Sequence, residues 1–414
     1  MTADRTAETL LQNVRVPLSM LKHPEGFGGI PDQDCLRGDL VIQGGHIQGM
    51  RRPSESGPSS RMVIPKLTEC HVHLDKCHTI SRMGAVGGDL SAAIAAQTKD
   101  RETWTADDIR MRANRGLSEL IDAGCQAVRT HVDWGDFSSE APSKAWAVLT
   151  ELAQEYRGQV SLQVAPLIGA DILAQPEAAD TIGRLIAASG DTLGGFVLNQ
   201  RERLAGIQNA FRVAEKYGLA LDFHVDEGLD DGLDGLTMIA ETAAKTGFQG
   251  PVLCGHACSL TNLSGDPLNK QLDLLFRSGV TVVTLPATNL YLQGRTAGTP
   301  EHRGLTRVRE LRAAGVPVAV GTDNVQDAFC PLGRHDPRQA LAQAALAAHL
   351  DPPFGDYLPM ITTIAAKAIG QTPTYVDGAE TGDLLLFDAA STSDLIAGME
   401  RPQVLADVLQ GEAL

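Results

Sequence analysis

The chain has 414 residues, of which 43% are hydrophobic and 21% charged, so it can bury a large core and is neither disordered nor fibrous. Its 51 acidic and 35 basic side chains leave a net charge of −16, which argues against nucleic acid as a partner. The sequence begins without an apolar signal segment and lacks a run of about 18 apolar residues, so we expect a cytoplasmic protein that does not span a membrane.

The two ends of the chain carry strand patterns without long helices. Residues 38–47 predict a β-hairpin, and residues 53–60, rich in Pro, Ser and Gly, predict a flexible connector. Near the other end, residues 382–388 predict a further strand. We therefore expect one small β-sandwich domain formed discontinuously from residues 1–64 and 376–414.

Between these ends, short β-branched apolar runs alternate with helical stretches, which is the pattern of repeated βα units around a parallel sheet. The eight apolar runs are residues 62–65 leading into His71, 127–131, 160–165, 195–198, 219–224, 252–256, 280–285 and 316–321. Helices are predicted at residues 107–123, 145–156, 205–216, 236–246, 267–277 and 304–314. Eight strands with intervening helices predict an α/β fold, a (β/α)₈ TIM barrel over residues 65–375.

Polar residues that follow the apolar runs are the candidates for chemistry, because such a barrel works at the carboxyl ends of its strands. His71 and His73 are two residues apart on an extended backbone, so both imidazoles point to the same side. His224 and Asp323 follow the fifth and eighth runs. Three histidines and one carboxylate form a ligand set suited to Zn²⁺ or Fe²⁺. The combination predicts a catalytic metal centre.

Three further residues lie near this predicted centre. Glu227 lies three residues beyond His224 and can reach the pocket without being a ligand. His256 ends the sixth run, and His131 follows the second run, where it either lines the pocket or has a structural role. A single histidine at a strand end is more often a hydrogen-bonded loop residue than a ligand. We expect the remaining histidines at the surface or in loops: His23, His46, His78, His302, His335 and His349.

The seven cysteines are scattered and include no CxxC pair. This spacing argues against a disulfide framework and against a thiolate zinc site. We expect reduced cysteines that mostly pack in the interior.

At this point the chain resembles the bacterial cytosine deaminase branch of the amidohydrolase superfamily. The similar blocks occur in order over residues 60–375: 71–76 (HVHLDK), 129–133 (RTHVD), 224–227 (HVDE), 255–256 (GH), 289–295 (NLYLQGR), 303–308 (RGLTRV), 322–325 (TDNV) and 331–333 (PLG). The resemblance implies that one metal ion is bound by four residues: His71, His73, His224 and Asp323. It also implies that Glu227 transfers protons and that His256 orients the attacking water or polarises the substrate.

The expected number of metal ions per chain follows from a further comparison with the superfamily. Its two-metal members carry a bridging lysine at the end of a middle strand. Here the third and fourth runs end in residues 165–167 (APL) and 198–200 (LNQ), without a lysine. We therefore expect one divalent ion per chain, Zn²⁺ or Fe²⁺, since imidazole and carboxylate accept both.

The resemblance implies a metal-dependent hydrolase of C–N bonds other than peptide bonds. It would release ammonia from cytosine or a related amino-substituted N-heterocycle by attack of metal-bound hydroxide. Glu227 would protonate a ring nitrogen, and Asp323 would accept a proton from the water. The resemblance also implies a homo-oligomer.

Three positions depart from the cytosine deaminase pattern and are the candidate substrate-binding residues. Leu167 lies in the stretch after the third strand where a glutamine is usual. Asn324 replaces an aspartate, and Phe329 replaces a tryptophan. Loss of a buried hydrogen-bonding partner costs about 1–3 kcal/mol, enough to change which ring is preferred.

Two other functions compete with deamination. One is hydrolysis of a cyclic amide or removal of an alkylamine from an N-alkylamino triazine by the same metal. Glu227 distinguishes deamination from this alternative, because protonation of a ring nitrogen requires an acid, whereas amide hydrolysis can proceed with the aspartate alone. The other is a non-catalytic binding protein stabilised by its metal. Structural zinc sites prefer cysteine, and Glu227 and His256 would have no role in such a protein.

Overall fold

The computed structural model describes residues 8–84, 86–134, 142–188, 190 and 192–411. The strands are β1 (Glu8–Pro17), β2 (Ile30–Asp32), β3 (Cys35–Gln43), β4 (His46–Arg51), β5 (Arg61–Pro65), β6 (Leu67–Val72), β7 (Cys125–Asp133), β8 (Ser161–Leu167), β9 (Thr192–Val197), β10 (Ala220–Val225), β11 (Val252–His256), β12 (Thr281–Thr284), β13 (Val318–Val320), β14 (Leu384–Asp388) and β15 (Gln403–Val404).

The α-helices are α1 (Pro24–Phe27), α2 (Leu90–Arg101), α3 (Ala106–Asp122), α4 (Lys144–Glu155), α5 (Ala170–Leu173), α6 (Pro176–Ala187), α7 (Arg203–Tyr217), α8 (Gly235–Thr246), α9 (Gly265–Ser278), α10 (Pro286–Leu292), α11 (Val308–Ala313), α12 (Pro337–Ala347), α13 (Thr363–Ala368), α14 (Thr392–Ala397) and α15 (Leu405–Gly411). Short 3₁₀ helices occur at Leu18–Met20, Ile80–Arg82, Cys258–Asn262, Phe354–Ile361 and Thr381–Asp383. Within the described ranges, none of the helices combines the length and the apolar character needed to cross a bilayer.

Two parallel sheets form the centre of the molecule, as predicted for an α/β protein. One has the strand order β6-β7-β8 and the other β13-β12-β11-β10-β9. Isolated parallel bridges link their edges, Gly169 with Phe196 and Val72 with Asp323. The seven predicted runs from 127–131 onward overlap β7 to β13, and the six predicted helices overlap α3, α4, α7, α8, α9 and α11.

A third sheet combines both ends of the chain in the order β15-β14-β5-β1-β3-β2, with β4 paired to β3. β1 is antiparallel to β3 and parallel to β5, and β14 is antiparallel to β5. The predicted hairpin is confirmed in β3 and β4. Its turn contains Gly44 and Gly45, with φ of 62° and 81°, values that glycine adopts without strain.

The first predicted strand requires a correction. We expected residues 62–65 to begin the central sheet, but they form β5 of the terminal sheet, and β6 is the neighbouring central strand. The chain changes sheets between these strands, because the Lys66 N–H donates to the Asp383 carbonyl, whereas the Leu67 N–H donates to the Gly124 carbonyl. One continuous apolar run therefore serves two sheets.

His78 and His335 lie in loops, as predicted, but their side chains are buried. Their side chains are 3% and 0% exposed. Glu119 on α3 lies between them: its Oε2 is 2.8 Å from His335 Nδ1 and 3.4 Å from His78 Nε2. The histidines are buried because α3 supplies a carboxylate partner. All seven cysteines are buried and free, in agreement with their expected packing role.

Candidate active site

A compact group of histidines and one aspartate lies at the carboxyl ends of the central strands. His71 is in β6, His73 follows it, His224 is in β10, and Asp323 follows β13. The Nε2 atoms of His73 and His224 are 3.0 Å apart. Asp323 Oδ1 is 3.5 Å from His71 Nε2 and 3.3 Å from His73 Nε2. The structure thus brings together the four side chains expected to bind metal.

Backbone pairing fixes the position of Asp323 in this group. The Asp323 N–H donates to the His71 carbonyl at 2.9 Å, and the His73 N–H donates to the Asp323 carbonyl at 3.3 Å. Asp323 has a φ of 59°, a left-handed conformation that is uncommon for residues other than glycine. The two contacts hold the carboxylate against the two histidines.

The chemistry of this group fits a divalent cation. Among the described residues, the buried polar atoms without a hydrogen-bond partner include both ring nitrogens of His71, Nδ1 of His73 and of His224, and both carboxylate oxygens of Asp323. Burial, followed by the charge of Lys76, lowers the pKa of His73 to about 3. Burial and the neighbouring His71 lower the pKa of His224 well below its usual value. Both imidazoles are therefore neutral at pH 7, the state in which histidine binds a metal.

His131 joins the same group, which the sequence left open. Its ring centroid is 4.1 Å from that of His71 and 4.6 Å from that of His224. Its Nε2 is 3.0 Å from a carboxylate oxygen of Asp222, which lies two residues before His224 on β10. A carboxylate behind a histidine is the usual outer partner of a metal-binding imidazole.

Glu227 and His256 line a cavity that also opens onto His73 and His224. Glu227 Oε1 is 3.5 Å from His256 Nδ1, and the side-chain amide nitrogen of Asn289 is 3.0 Å from the same ring nitrogen. Burial, together with the charge of Asp323, raises the pKa of Glu227 well above its usual value. A raised pKa favours the protonated form, in which Glu227 can act as an acid.

The cavity has a volume of about 230 Å³, and Leu167, Asn324 and Phe329 all line it. Asp327 organises one wall: its Oδ2 accepts from Asn324 Nδ2 at 2.7 Å and its Oδ1 accepts from the Phe329 N–H at 2.8 Å. Lys76 lies over the Phe329 ring, 5.3 Å from its centroid. The three substrate-binding candidates therefore face the same space as Glu227.

Sequence reasoning missed a second set of cavity residues. They include Lys76, Gln97, Arg101, Asp133, Trp134 and Phe196. Lys76 and Asp133 lie within the blocks that resemble the superfamily, so their position was a usable signal. Gln97 and Arg101 lie on α2, a helix whose apolar residues do not follow a clear helical period, and nothing in its sequence pointed to the cavity.

A family model described as "Amidohydrolase family" matches residues 82–376 of the chain. The chain belongs to the amidohydrolase family. The matched segment includes His224, Glu227, His256 and Asp323 and begins after His73.

Individual relatives of this amidohydrolase are deaminases or related hydrolases. It is 31% identical to a pterin deaminase of Rhizobium rhizogenes over 97% of its own length and 92% of the relative's. It is 22% identical to an N-isopropylammelide isopropyl amidohydrolase of a Pseudomonas species, covering 86% of each chain. Among solved structures, a 5-methylcytosine deaminase of Klebsiella pneumoniae with bound 5-fluorocytosine is 25% identical, with a TM-score of 0.78 and 96% and 94% coverage. The resemblance to the cytosine deaminase branch is confirmed.

Proposed function

We propose that this chain is a metal-dependent aminohydrolase that releases ammonia from an amino- and oxo-substituted N-heterocycle of the pterin class. The observation that carries the proposal is the unpartnered histidine and aspartate group opening into one cavity with Glu227 and His256. The deaminase relatives confirm the broader prediction of a hydrolase that acts on non-peptide C–N bonds of such rings. Pterin is favoured over cytosine because the pterin deaminase is 31% identical to this chain, whereas the 5-methylcytosine deaminase is 25% identical.

The metal would be held by His71, His73, His224 and Asp323. A divalent ion there supplies a Lewis acid and lowers the pKa of a coordinated water from 15.7 towards about 7. The choice of these four residues over His131 rests on the resemblance to the superfamily, since the structure places His131 in the same group. A single ion of the Zn²⁺ or Fe²⁺ type matches the imidazole and carboxylate ligand set.

Two carboxyl groups carry out the proton transfers. Glu227 donates its proton to the ring nitrogen next to the reacting carbon, which makes that carbon a better electrophile. Asp323 accepts a proton from the attacking water and passes it to the departing amine, and the new hydroxyl group returns a proton to Glu227 as its carbonyl forms, so that ammonia leaves. His256 can polarise the substrate through Nε2, since its Nδ1 contacts Asn289.

The cavity suits a flat one- or two-ring compound. Its volume of about 230 Å³ is below the roughly 300–1,000 Å³ typical of pockets for drug-sized ligands. Trp134, Phe196 and Phe329 contribute aromatic surface on which a planar ring can stack. Leu167 and Asn324 complete the set of side chains proposed to select the ring.

The arrangement of the chain supports a closed (β/α)₈ barrel over residues 65–375, with the metal at its carboxyl end. The supporting observations are the parallel order of β6 to β13 and the bridges that link the two sheet edges. The terminal sheet supports a separate small β domain from residues 1–64 and 376–414. This sheet has seven strands, so the proposed domain is more complete than the short C-terminal segment alone suggests.

The test is ammonia release by the metal-loaded protein from pterin, cytosine, 5-methylcytosine and N-isopropylammelide. We expect pterin to have the highest kcat/KM. The Pseudomonas relative makes alkylamine removal the competing activity, so isopropylamine should be quantified in parallel. Turnover of N-isopropylammelide with no ammonia from any amino-heterocycle would overturn the proposal.

A further inference from the structure

Gln97 is a buried amide with no hydrogen-bond partner among the described residues. It lies near the end of α2 and is 3% exposed. Neither Oε1 nor Nε2 has a hydrogen-bond partner in the part of the chain that the structure describes. Buried side-chain amides are rarely left unpaired, because they lose their bonds to water on burial. The described residues thus leave both hydrogen bonds of Gln97 to a bound water or ligand.

The position of Gln97 indicates where that partner binds. Leu90, Ile94, Gln97 and Arg101 are spaced three or four residues apart, so α2 presents one face to the cavity. The same cavity is lined by Glu227. A molecule that fills the cavity can therefore meet the amide and the proposed acid together.

The charged groups beside Gln97 are already paired. Lys76 Nζ is 2.9 Å from Asp133 Oδ1, and Arg101 Nη1 is 3.2 Å from Asp133 Oδ2. Gln97 differs from them because neither its donor nor its acceptor has a hydrogen-bond partner among the described residues. The amide oxygen of a glutamine can accept a hydrogen bond from a ring N–H, while its amide nitrogen donates one to the carbonyl next to that N–H.

We propose that Gln97 determines specificity by forming paired hydrogen bonds with an adjacent N–H and C=O on the substrate ring. The inference rests on the proposed function and narrows its substrate class to amino-heterocycles that also carry such a lactam edge. Leu167, which lies on another part of the cavity wall, has no polar group that could bind this edge. Gln97 is thus a binding residue for the same reaction, separate from the groups that move protons.

The experiment compares two substrates in wild type and Gln97→Leu. Pterin carries the lactam edge, whereas 2-aminopteridine lacks the 4-oxo group and the neighbouring N–H. We expect Q97L to lower kcat/KM for pterin by about 10–100-fold and to change it by less than about threefold for 2-aminopteridine. An equal loss on both substrates, or none on pterin, would overturn the inference. Gln97→Met provides a second apolar variant of similar length.

A matched control is Gln271→Leu. Gln271 is also a buried glutamine on a helix, α9, but it contacts Thr237 and does not line the cavity. We expect Q271L to keep the wild-type kcat/KM for both substrates. A loss like that of Q97L would mean that the effect comes from helix packing, contrary to the inference.

Binding of the deaminated product separates this inference from the proposed function. Pteridine-2,4-dione keeps the lactam edge and requires no turnover, so calorimetric titration can be used. We expect Q97L to weaken its binding at least tenfold, and equal affinity for wild type and Q97L would overturn the role of Gln97. Absence of ammonia release from every compound, with this affinity difference retained, would reject only the deaminase proposal.

Discussion

Gly255 lies against the ring of His71: a Cβ at position 255 would be 2.7 Å from His71 Cε1 and 3.0 Å from Nδ1. The ring must therefore move if any larger residue replaces this glycine. Gly255 lies in β11 and is paired with His224 of β10 and Val283 of β12, so its backbone cannot easily move away from the ring.

We expect Gly255→Ala to lower both metal content and kcat. A displacement of about 1 Å at a catalytic centre can cost 10²-fold in rate. Metal analysis and initial rates measure the effect, with circular dichroism to check the fold. Gly298→Ala is the matched control, because no described atom lies within 4 Å of its added Cβ. Wild-type metal content and rate in G255A would show that His71 is not a ligand.

Replacing the proposed acid should separate catalysis from metal binding. Glu227→Gln keeps the size of the side chain but removes its acidic proton, so we expect kcat for deamination to fall about 10²–10⁴-fold. Metal content should stay at the wild-type value. His73→Asn is the counterpart and should lose metal and activity together. A fully active E227Q would remove Glu227 from the mechanism.

The buried pair of Arg129 and Asp222 should be important for stability. Arg129 Nη1 lies 3.0 Å from Asp222 Oδ2, and both side chains are 0% exposed. Asp222→Asn leaves the guanidinium buried without its counter-ion, so we expect a loss of about 3–5 kcal/mol in the free energy of unfolding. The exposed pair of Asp180 and Arg212 is the control, and Asp180→Asn should cost much less. Urea unfolding of both variants gives the comparison, and equal losses would contradict it.

The contact between Glu119 and His335 should make stability depend on acid pH. Burial raises the pKa of Glu119, but the hydrogen bonds with His335 and His78 outweigh it and hold the pKa well below the usual value of 4.5. A carboxyl group whose pKa is lower in the folded than in the unfolded state stabilises the folded state at pH values above the unfolded pKa. This stabilisation is lost as the pH falls from the unfolded pKa towards the folded pKa.

Glu119→Gln should therefore be less stable than wild type at pH 7 by about 1 kcal/mol, a figure reduced because the carboxylate is 35% exposed. The difference should shrink as the pH falls below about 4.5. Urea unfolding of both proteins between pH 3 and 7 measures it. A gap that stays constant over this range would show that the charge of Glu119 contributes nothing.

The sequence predicted those parts of the site that depend on local geometry. His71 and His73 face the same way because strand side chains alternate, and the ends of β10, β11 and β13 are recognisable from their apolar runs. Gln97 and Glu119 could not be found in this way, since their roles depend on how α2 and α3 pack. The division between β5 and β6 was also hidden, because residues bound for different sheets have the same apolar pattern.

The pairing of β14 with β5 has a consequence for synthesis of the protein. As the chain leaves the ribosome, β1, β3 and β5 emerge several hundred residues before β14, so one side of β5 stays open throughout translation of the central domain. An open strand edge attracts other extended chains. Nascent or prematurely terminated chains should thus be the species most prone to self-association, and the pairing of β14 closes that edge.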